Sequence, residues 1–191
     1  KSLGKYRYAK ASYPVSTMCN TATGAIACGG LEGYISLIDS RTGGQTVAVP
    51  VRAHGGKVVD MDVYDTTLVT CGEATPRYSR SHGLHRNSGR AKSDPALKIF
   101  DLRMLRHGIP FQCTPPASFA RFLDQGRLLV SGRMGNIQTI QNIQAGPNAQ
   151  LEQVHQIQNG GGVLTSMCVS QTAKVAAFSD STGCIHVWTS E

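Results

Sequence analysis

Leu97-Lys98-Ile99-Phe100-Asp101 alternates apolar with polar side chains, and the same alternation returns in Gly33-Tyr34-Ile35-Ser36-Leu37-Ile38-Asp39, Gly135-Asn136-Ile137-Gln138-Thr139-Ile140 and Gly183-Cys184-Ile185-His186-Val187-Trp188. A strand turns successive side chains to opposite faces, so each copy is a strand with a set of side chains aimed into a core. Superposing Ile38, Phe100, Ile140 and Trp188 gives intervals of 62, 40 and 48 residues. The longest interval contains an insertion, which leaves an underlying period of about 40 to 45 residues, that of a four-stranded propeller blade. The fold class is therefore all-β, a WD-repeat β-propeller in which these four segments are the third strands of successive blades.

A second apolar run precedes each copy: Ile26-Ala27-Cys28, Leu68-Val69-Thr70-Cys71, Leu128-Leu129-Val130-Ser131 and Val175-Ala176-Ala177-Phe178. These suit buried strands. Before them stand Val15 to Cys19, Val58 to Val63, Ser118 to Phe122 and Leu164 to Val169, the candidates for the innermost strands. Gln45 to Val51, Gly108 to Gln112 and Leu151 to Ile157 fit the outer strands, with Pro50 and Pro110 where an edge can lack a donor. Lys5 to Ala9 reads as the outer strand of a preceding blade. Residues 1–191 are thus expected to form an incomplete propeller, about four blades of a larger ring of seven. Such an arc leaves apolar faces and sheet edges open, which predicts poor behaviour in isolation.

Hydrophobic residues make up 40% of the chain and glycine contributes 21 positions, enough for a core and many tight turns. No apolar stretch approaches the roughly 20 residues of a membrane span, so no membrane partner is expected. The basic opening, Lys1 to Tyr8, leads into no apolar signal core. Cys19, Cys28, Cys71, Cys113, Cys168 and Cys184 contain no Cys-x-x-Cys pair, and most fall within or beside predicted strands. They read as buried thiols in a reducing, cytoplasmic setting. Cys19 and Cys28 could face each other across a hairpin, though free thiols are the favoured reading. His82 and His85 lack a second ligand pair at plausible spacing and read as solvated loop residues rather than zinc ligands.

The formal charge of +7 is concentrated. Residues 1–10 carry a net +4, and residues 73–96 carry Arg77, Arg80, Arg86, Arg90 and Lys92 against Glu73 and Asp94, a net +3, with the remainder balanced. The stretch 73–96 reads as a mobile basic insertion between the second and third strands of one blade. Its five cations are the candidate RNA contacts, through phosphate attraction; the competing reading is a solvated loop with no ligand. In a meander this loop shares a propeller face with the connection into the innermost strand, which holds His54. His54 stands where WD repeats often place a Gly-His pair, and a structural role in hydrogen bonding between turns and strands is expected. Asp180, in Asp180-Ser181-Thr182-Gly183, is expected to cap turn amides before the third strand. Asp60 and Asp62 alternate with Val59, Met61 and Val63, which predicts two carboxylates edging a wet channel; two carboxylates do not make a metal site. No phosphate-binding glycine loop, Gly-x-Ser-x-Gly elbow or kinase signature is present, so no catalytic residue, cofactor site or metal site is expected in this chain.

Gly33 to Thr42, Leu97 to Arg106 and Ala117 to Phe122 resemble successive segments of the catalytic-subunit family of the Pan poly(A)-nuclease deadenylation complex. Ala177 to Thr189 is similar to the end of that family's WD-repeat region, so the resemblance runs in order through nearly the whole chain and matches the C-terminal half of the propeller. Leu97 to Arg106 is its most specific part. The resemblance implies a parent that shortens messenger RNA poly(A) tails from the 3′ end in the cytoplasm, including processing bodies, with a magnesium-dependent exonuclease domain and a ubiquitin-hydrolase-like region outside these residues. It implies a non-catalytic scaffold propeller whose partners are a pseudokinase-like regulatory subunit and poly(A) RNA coated with poly(A)-binding protein. The chain departs from the family pattern in the insertion from Glu73 to Ala96 and in the polar stretch Gln138-Thr139-Ile140-Gln141. A WD-repeat adaptor of another pathway would share the blades but not the ordered run of matching segments. A propeller enzyme would need more inner-strand charge than Asp60, Asp62 and Arg121 supply.

Overall fold

The computed structural model describes residues 11–39, 41, 45–46, 49–74, 92–106, 108–124, 126–158, 161–170 and 175–189. Among them, the strands fall into four antiparallel sheets, each a meander whose connections follow the chain. The first holds β1 (Val15–Asn20), β2 (Ala25–Gly30) and β3 (Tyr34–Asp39), with β4 (Gln45–Thr46) and β5 (Val51–Arg52) both paired to β3. The second holds β6 (Val58–Tyr64), β7 (Thr67–Gly72), β8 (Ala96–Asp101) and β9 (Ile109–Gln112). The third holds β10 (Phe119–Phe122), β11 (Arg127–Ser131), β12 (Asn136–Gln141) and β13 (Gln150–Gln156), and the fourth β14 (Leu164–Ser170), β15 (Val175–Asp180) and β16 (Ile185–Thr189). This is the four-blade arrangement of a β-propeller.

Register makes the repeat explicit. Ile38 pairs with Ile26, Phe100 with Leu68, Ile140 with Leu128 and Trp188 with Ala176, one position in four sheets. The innermost strands repeat a defect as well, with register shifts at Val15/Thr17, Val58/Asp60 and Leu164/Ser166. Asp39 and Asp101 close β3 and β8 in the same way: each carboxylate accepts from the backbone N–H and the guanidinium of the arginine two residues on, Arg41 and Arg103. That fork, with the Arg103 side-chain bonds foremost, lowers Asp101 to about 2.

Alternation decides which core each residue enters. On β7, Leu68 joins a cluster with Ile35, Leu37, Val58, Met61 and Phe100 between the first two sheets, whereas Val69 and Cys71 point the other way. Those two meet Leu97, Phe111, Phe122 and Ile140 between the second and third sheets. Leu129 and Ile137 then pack with Leu164, Met167 and Phe178 between the third and fourth. The central sheets are covered on both faces. The fourth is not, and Ile185 and Val187 on β16 are 75% and 66% exposed. Trp188 is accordingly half-buried, where Ile38, Phe100 and Ile140 are fully buried.

Two expectations need correction. The outer strand read as Gln45 to Val51 divides into β4 and β5, and Pro50, which has no N–H for the ladder, stands immediately before β5. The cysteines are not uniformly buried: Cys28, Cys71 and Cys113 are, Cys19 is half-buried, and Cys168 and Cys184 are exposed because they belong to the partly uncovered fourth sheet. All six are free. Register sets Met18 opposite Cys28 and Ala27 opposite Cys19, so the two cysteines of the first hairpin do not face each other. Burial pushes the Cys113 thiol up to about 11, and burial together with Asp62 and Asp60 pushes Cys19 up to about 12. The segment from Lys5 to Ala9 lies outside the described residues. No helix among the described residues is long and apolar enough to cross a membrane.

Candidate functional site

The basic insertion leaves the second sheet through a built stem. Beyond the β7–β8 ladder, Ala74 N donates to Lys92 O and Asp94 N to Gly72 O, each at 2.8 Å, and Glu73 bridges to Ser93. The preceding connection is stitched to the same stem, since Gly56 N donates to Glu73 O at 2.8 Å and Glu73 N to Lys57 O at 2.9 Å. Ala74 and Lys92 are thus fixed to each other in this stem. Lys92 is exposed at the stem; Arg77, Arg80, Arg86 and Arg90, with Tyr78, His82 and His85, lie outside the described residues.

His54 sits under this stem with its side chain fully buried. A carboxylate can only accept, so Nδ1 carries the proton and donates to Asp94 Oδ2 at 3.0 Å, while Nε2 meets the Thr70 hydroxyl at 2.9 Å. The other Asp94 oxygen accepts from Ala96 N at 2.9 Å. Burial alone would raise Asp94, but the His54 side chain and the Ala96 amide outweigh it and hold the carboxyl below its ordinary value. The network joins the connection into β6, the centre of β7 and the start of β8. Asp180 occupies the corresponding turn of the fourth sheet, accepting from Thr182 N at 2.9 Å, Cys184 N at 3.0 Å and His186 Nε2 at 2.9 Å. Bonds from His186 and Thr182 hold it well below the usual carboxylate range. Asp94 was legible only as a charge; like Asp180 it lies between the second and third strands of its sheet and accepts from the amide two residues on, Ala96 N as Asp180 accepts from Thr182 N.

Asp60 is buried rather than open to water, whereas Asp62 is half-buried. Strand β6 lies between β1 and β10, and alternation sets both Asp60 and Asp62 on the side that meets β10 of the third sheet. Asp60 is 6% exposed and Met61, on the opposite side, 2%, so β6 is covered on both sides at this point and opens partly toward Tyr64. Asp60 Oδ2 accepts from Ala120 N at 3.0 Å and from Arg121, and Asp62 Oδ2 accepts from Phe122 N at 2.8 Å. The carboxylates staple one inner strand to the next. Burial raises both, with Arg121 opposing the rise at Asp60 and the Phe122 amide opposing it at Asp62. Ser16 makes the corresponding link one sheet earlier, donating to Val58 O at 2.7 Å. No group of three or more histidine, cysteine or acidic side chains able to hold a metal occurs among the described residues.

One surface feature was not anticipated from sequence. Gly33, at φ +84°, lets the β2–β3 turn press against the connection after β5, where a Cβ would overlap His54 O and Gly56 O. This brings Tyr34 and Arg52 next to the insertion stem. The Arg52 guanidinium carbon lies 5.9 Å from the Tyr34 ring centre, and the Tyr34 ring stacks on Tyr13 at 6.1 Å. No aromatic spacing rule links positions 13, 34 and 52; only the register Tyr34↔Arg52 does.

Comparison with known proteins agrees with this architecture. The solved WD40 domain of Neurospora crassa Pan2 superposes with a TM-score of 0.72 at 23% identity, covering 93% of this chain and 50% of that one. Curated PAN2-PAN3 deadenylation complex catalytic subunits PAN2 from Gallus gallus and Cryptococcus neoformans are 32% and 30% identical over 84% and 86% of the chain. The chain spans only 12% and 13% of their length. A family model described as PAN2 N-terminal matches residues 4–189, from ahead of β1 to the end of β16, and the chain belongs to that family.

Proposed function

We propose that this chain is a non-catalytic scaffold propeller of a deadenylase catalytic subunit, supporting assembly of the complex and its engagement of poly(A) RNA during cytoplasmic tail shortening. The observation that carries the reading is family membership along nearly the whole length of the chain, in which, among the described residues, no buried side-chain polar atom lacks a hydrogen-bond partner. His54, Asp94, Asp60 and Asp62 are each consumed by hydrogen bonds between strands, which is the chemistry of a rigid platform. In this reading the partners are a pseudokinase-like regulatory subunit and poly(A) coated with poly(A)-binding protein, and magnesium-dependent exonuclease chemistry resides in other parts of the longer protein. The insertion from Glu73 to Ala96, fixed at both ends on one face, supplies sequence-tolerant phosphate attraction through Arg77, Arg80, Arg86, Arg90 and Lys92.

The test replaces those five cations by Ala in the full-length protein within its complex. Affinity for oligoadenylate at low salt is expected to fall, and its dependence on salt to flatten, because fewer counterions are released on binding. The shortening rate at saturating RNA should stay near wild type. Unchanged affinity with an unchanged salt slope would remove RNA engagement from the role of this propeller.

A further inference from the structure

We infer that Tyr13, Tyr34 and Arg52 form a stacking seat for one unpaired base of single-stranded RNA, beside the stem of the basic insertion. The inference rests on the proposed RNA engagement and adds to it a contact with bases, which the insertion's phosphate attraction does not provide. Arg52 is exposed, and its guanidinium lies over the Tyr34 ring at 5.9 Å. Its N–H groups are held by carbonyls, Nε to His54 O at 3.3 Å and Nη2 to Gly55 O at 3.2 Å. No carboxylate pairs with it among the described residues, in contrast to Arg41, Arg103, Arg121 and Arg127. A guanidinium over an aromatic ring, held by two backbone carbonyls, is an ordered cationic group beside a π-face, and arginine planes and aromatic rings accept splayed nucleobases.

The support beneath it is equally fixed. The Tyr13 hydroxyl donates to Cys28 O at 3.0 Å and meets Ser36 Oγ at 2.7 Å, and the Tyr13 ring abuts Gly30, where a Cβ would overlap it. Tyr34 is held in β3 opposite Arg52. Charge near the seat is mixed: Glu32 is exposed in the turn before Tyr34, and Lys57 and exposed Lys92 lie along the connection and stem, where Glu73 also stands. A base on Arg52 with its phosphates near Lys57 and Lys92 uses the cations of that stem.

The full-length protein is irradiated in EDTA with a labelled single-stranded oligoadenylate and the adducts are mapped by mass spectrometry. In parallel, affinities are measured for the same oligoadenylate and for an abasic strand of equal length and charge. An adduct on Tyr13 or Tyr34 is expected. Arg52→Lys, which keeps the charge and removes the plane, should reduce the preference for bases over the abasic strand about tenfold, the scale of one stacked base. Abasic affinity should not change. Tyr34→Ala should act in the same direction, and Arg52→Lys stands alone if that variant misfolds. Full base preference in Arg52→Lys with no adduct on either tyrosine overturns the inference while leaving phosphate attraction intact. Loss of abasic affinity in the five-cation variant is expected as well, because Lys92 is one of those cations and lies on the phosphate path. Should Arg52→Lys bind RNA as wild type but lose co-purification with the regulatory subunit, the face is a protein-docking surface and the inference falls.

Discussion

Asp94 and Asp62 are both half-buried carboxylates, and in each burial raises the carboxyl while hydrogen-bonding neighbours lower it; the neighbours win at Asp94 and burial wins at Asp62. His54 and Ala96 hold Asp94 below its ordinary value, so its contribution to stability is present above about pH 4, the unfolded value, and is lost as pH falls through the lower folded value. Burial raises Asp62 instead, so the native state binds the proton more readily than the unfolded chain and the penalty for ionising it grows as pH rises through the folded value. The two asparagine variants should therefore behave differently in denaturant unfolding of the full-length protein's propeller. Asp94→Asn leaves His54 Nδ1 without its charged acceptor and should lose about 2 kcal/mol near pH 7, the scale of a charge-assisted hydrogen bond, with a flatter acid limb. Asp62→Asn keeps an oxygen for the Phe122 N–H and removes a buried charge, so stability near pH 7 should be equal or higher. Equal losses in both variants would show that the two carboxylates do the same job.

At the scale of the element, the third strands carry the repeat and their burial grades its energetic weight. Phe100 is 2% exposed, and its ring lies against Gly108 so closely that a Cβ there would overlap it. Phe100→Ala should cost about 3 to 5 kcal/mol in a chevron or equilibrium melt, and Trp188→Ala distinctly less, because Trp188 is only half-buried at the equivalent position. A larger loss for Trp188→Ala would mean that its open side is covered. These strands were legible because period-2 alternation survives at Leu97 to Asp101 and Gly135 to Ile140 without help from tertiary structure. Inner strands were less legible. Alternation keeps Asp60 and Asp62 on one side of β6, as their bonds to Ala120 and Phe122 show, but it does not reveal that β10 of the next sheet lies on that side, and the register shift at Val58/Asp60 leaves no sequence mark in Val58-Val59-Asp60. Likewise, Tyr34 and Arg52 are 18 positions apart and meet only because β5 pairs with β3.

Across the whole molecule, coverage is unequal among the four sheets. The second and third each contribute to two buried clusters, the first and fourth to one. The fourth also presents the outer edge of β16 without a described strand, next to exposed Ile185 and Val187. Local opening requires little burial to be undone where one face is already wet and an edge is unpaired. Native-state hydrogen exchange of the 191-residue chain should therefore grade protection by sheet. Amides of β7, β8, β11 and β12 should approach the global unfolding limit, and those of β15 and β16 should exchange by a lower-energy opening that leaves the central sheets folded. The cross-sheet staples sharpen the contrast: Asp60, Asp62 and Arg121 tie the second sheet to the third, so these two should open together. Protection of β16 equal to that of β8 would mean that the fourth sheet is covered in solution, and a series of protein concentrations would then distinguish a second copy, whose cover is lost on dilution, from cover supplied by the same chain, which is not.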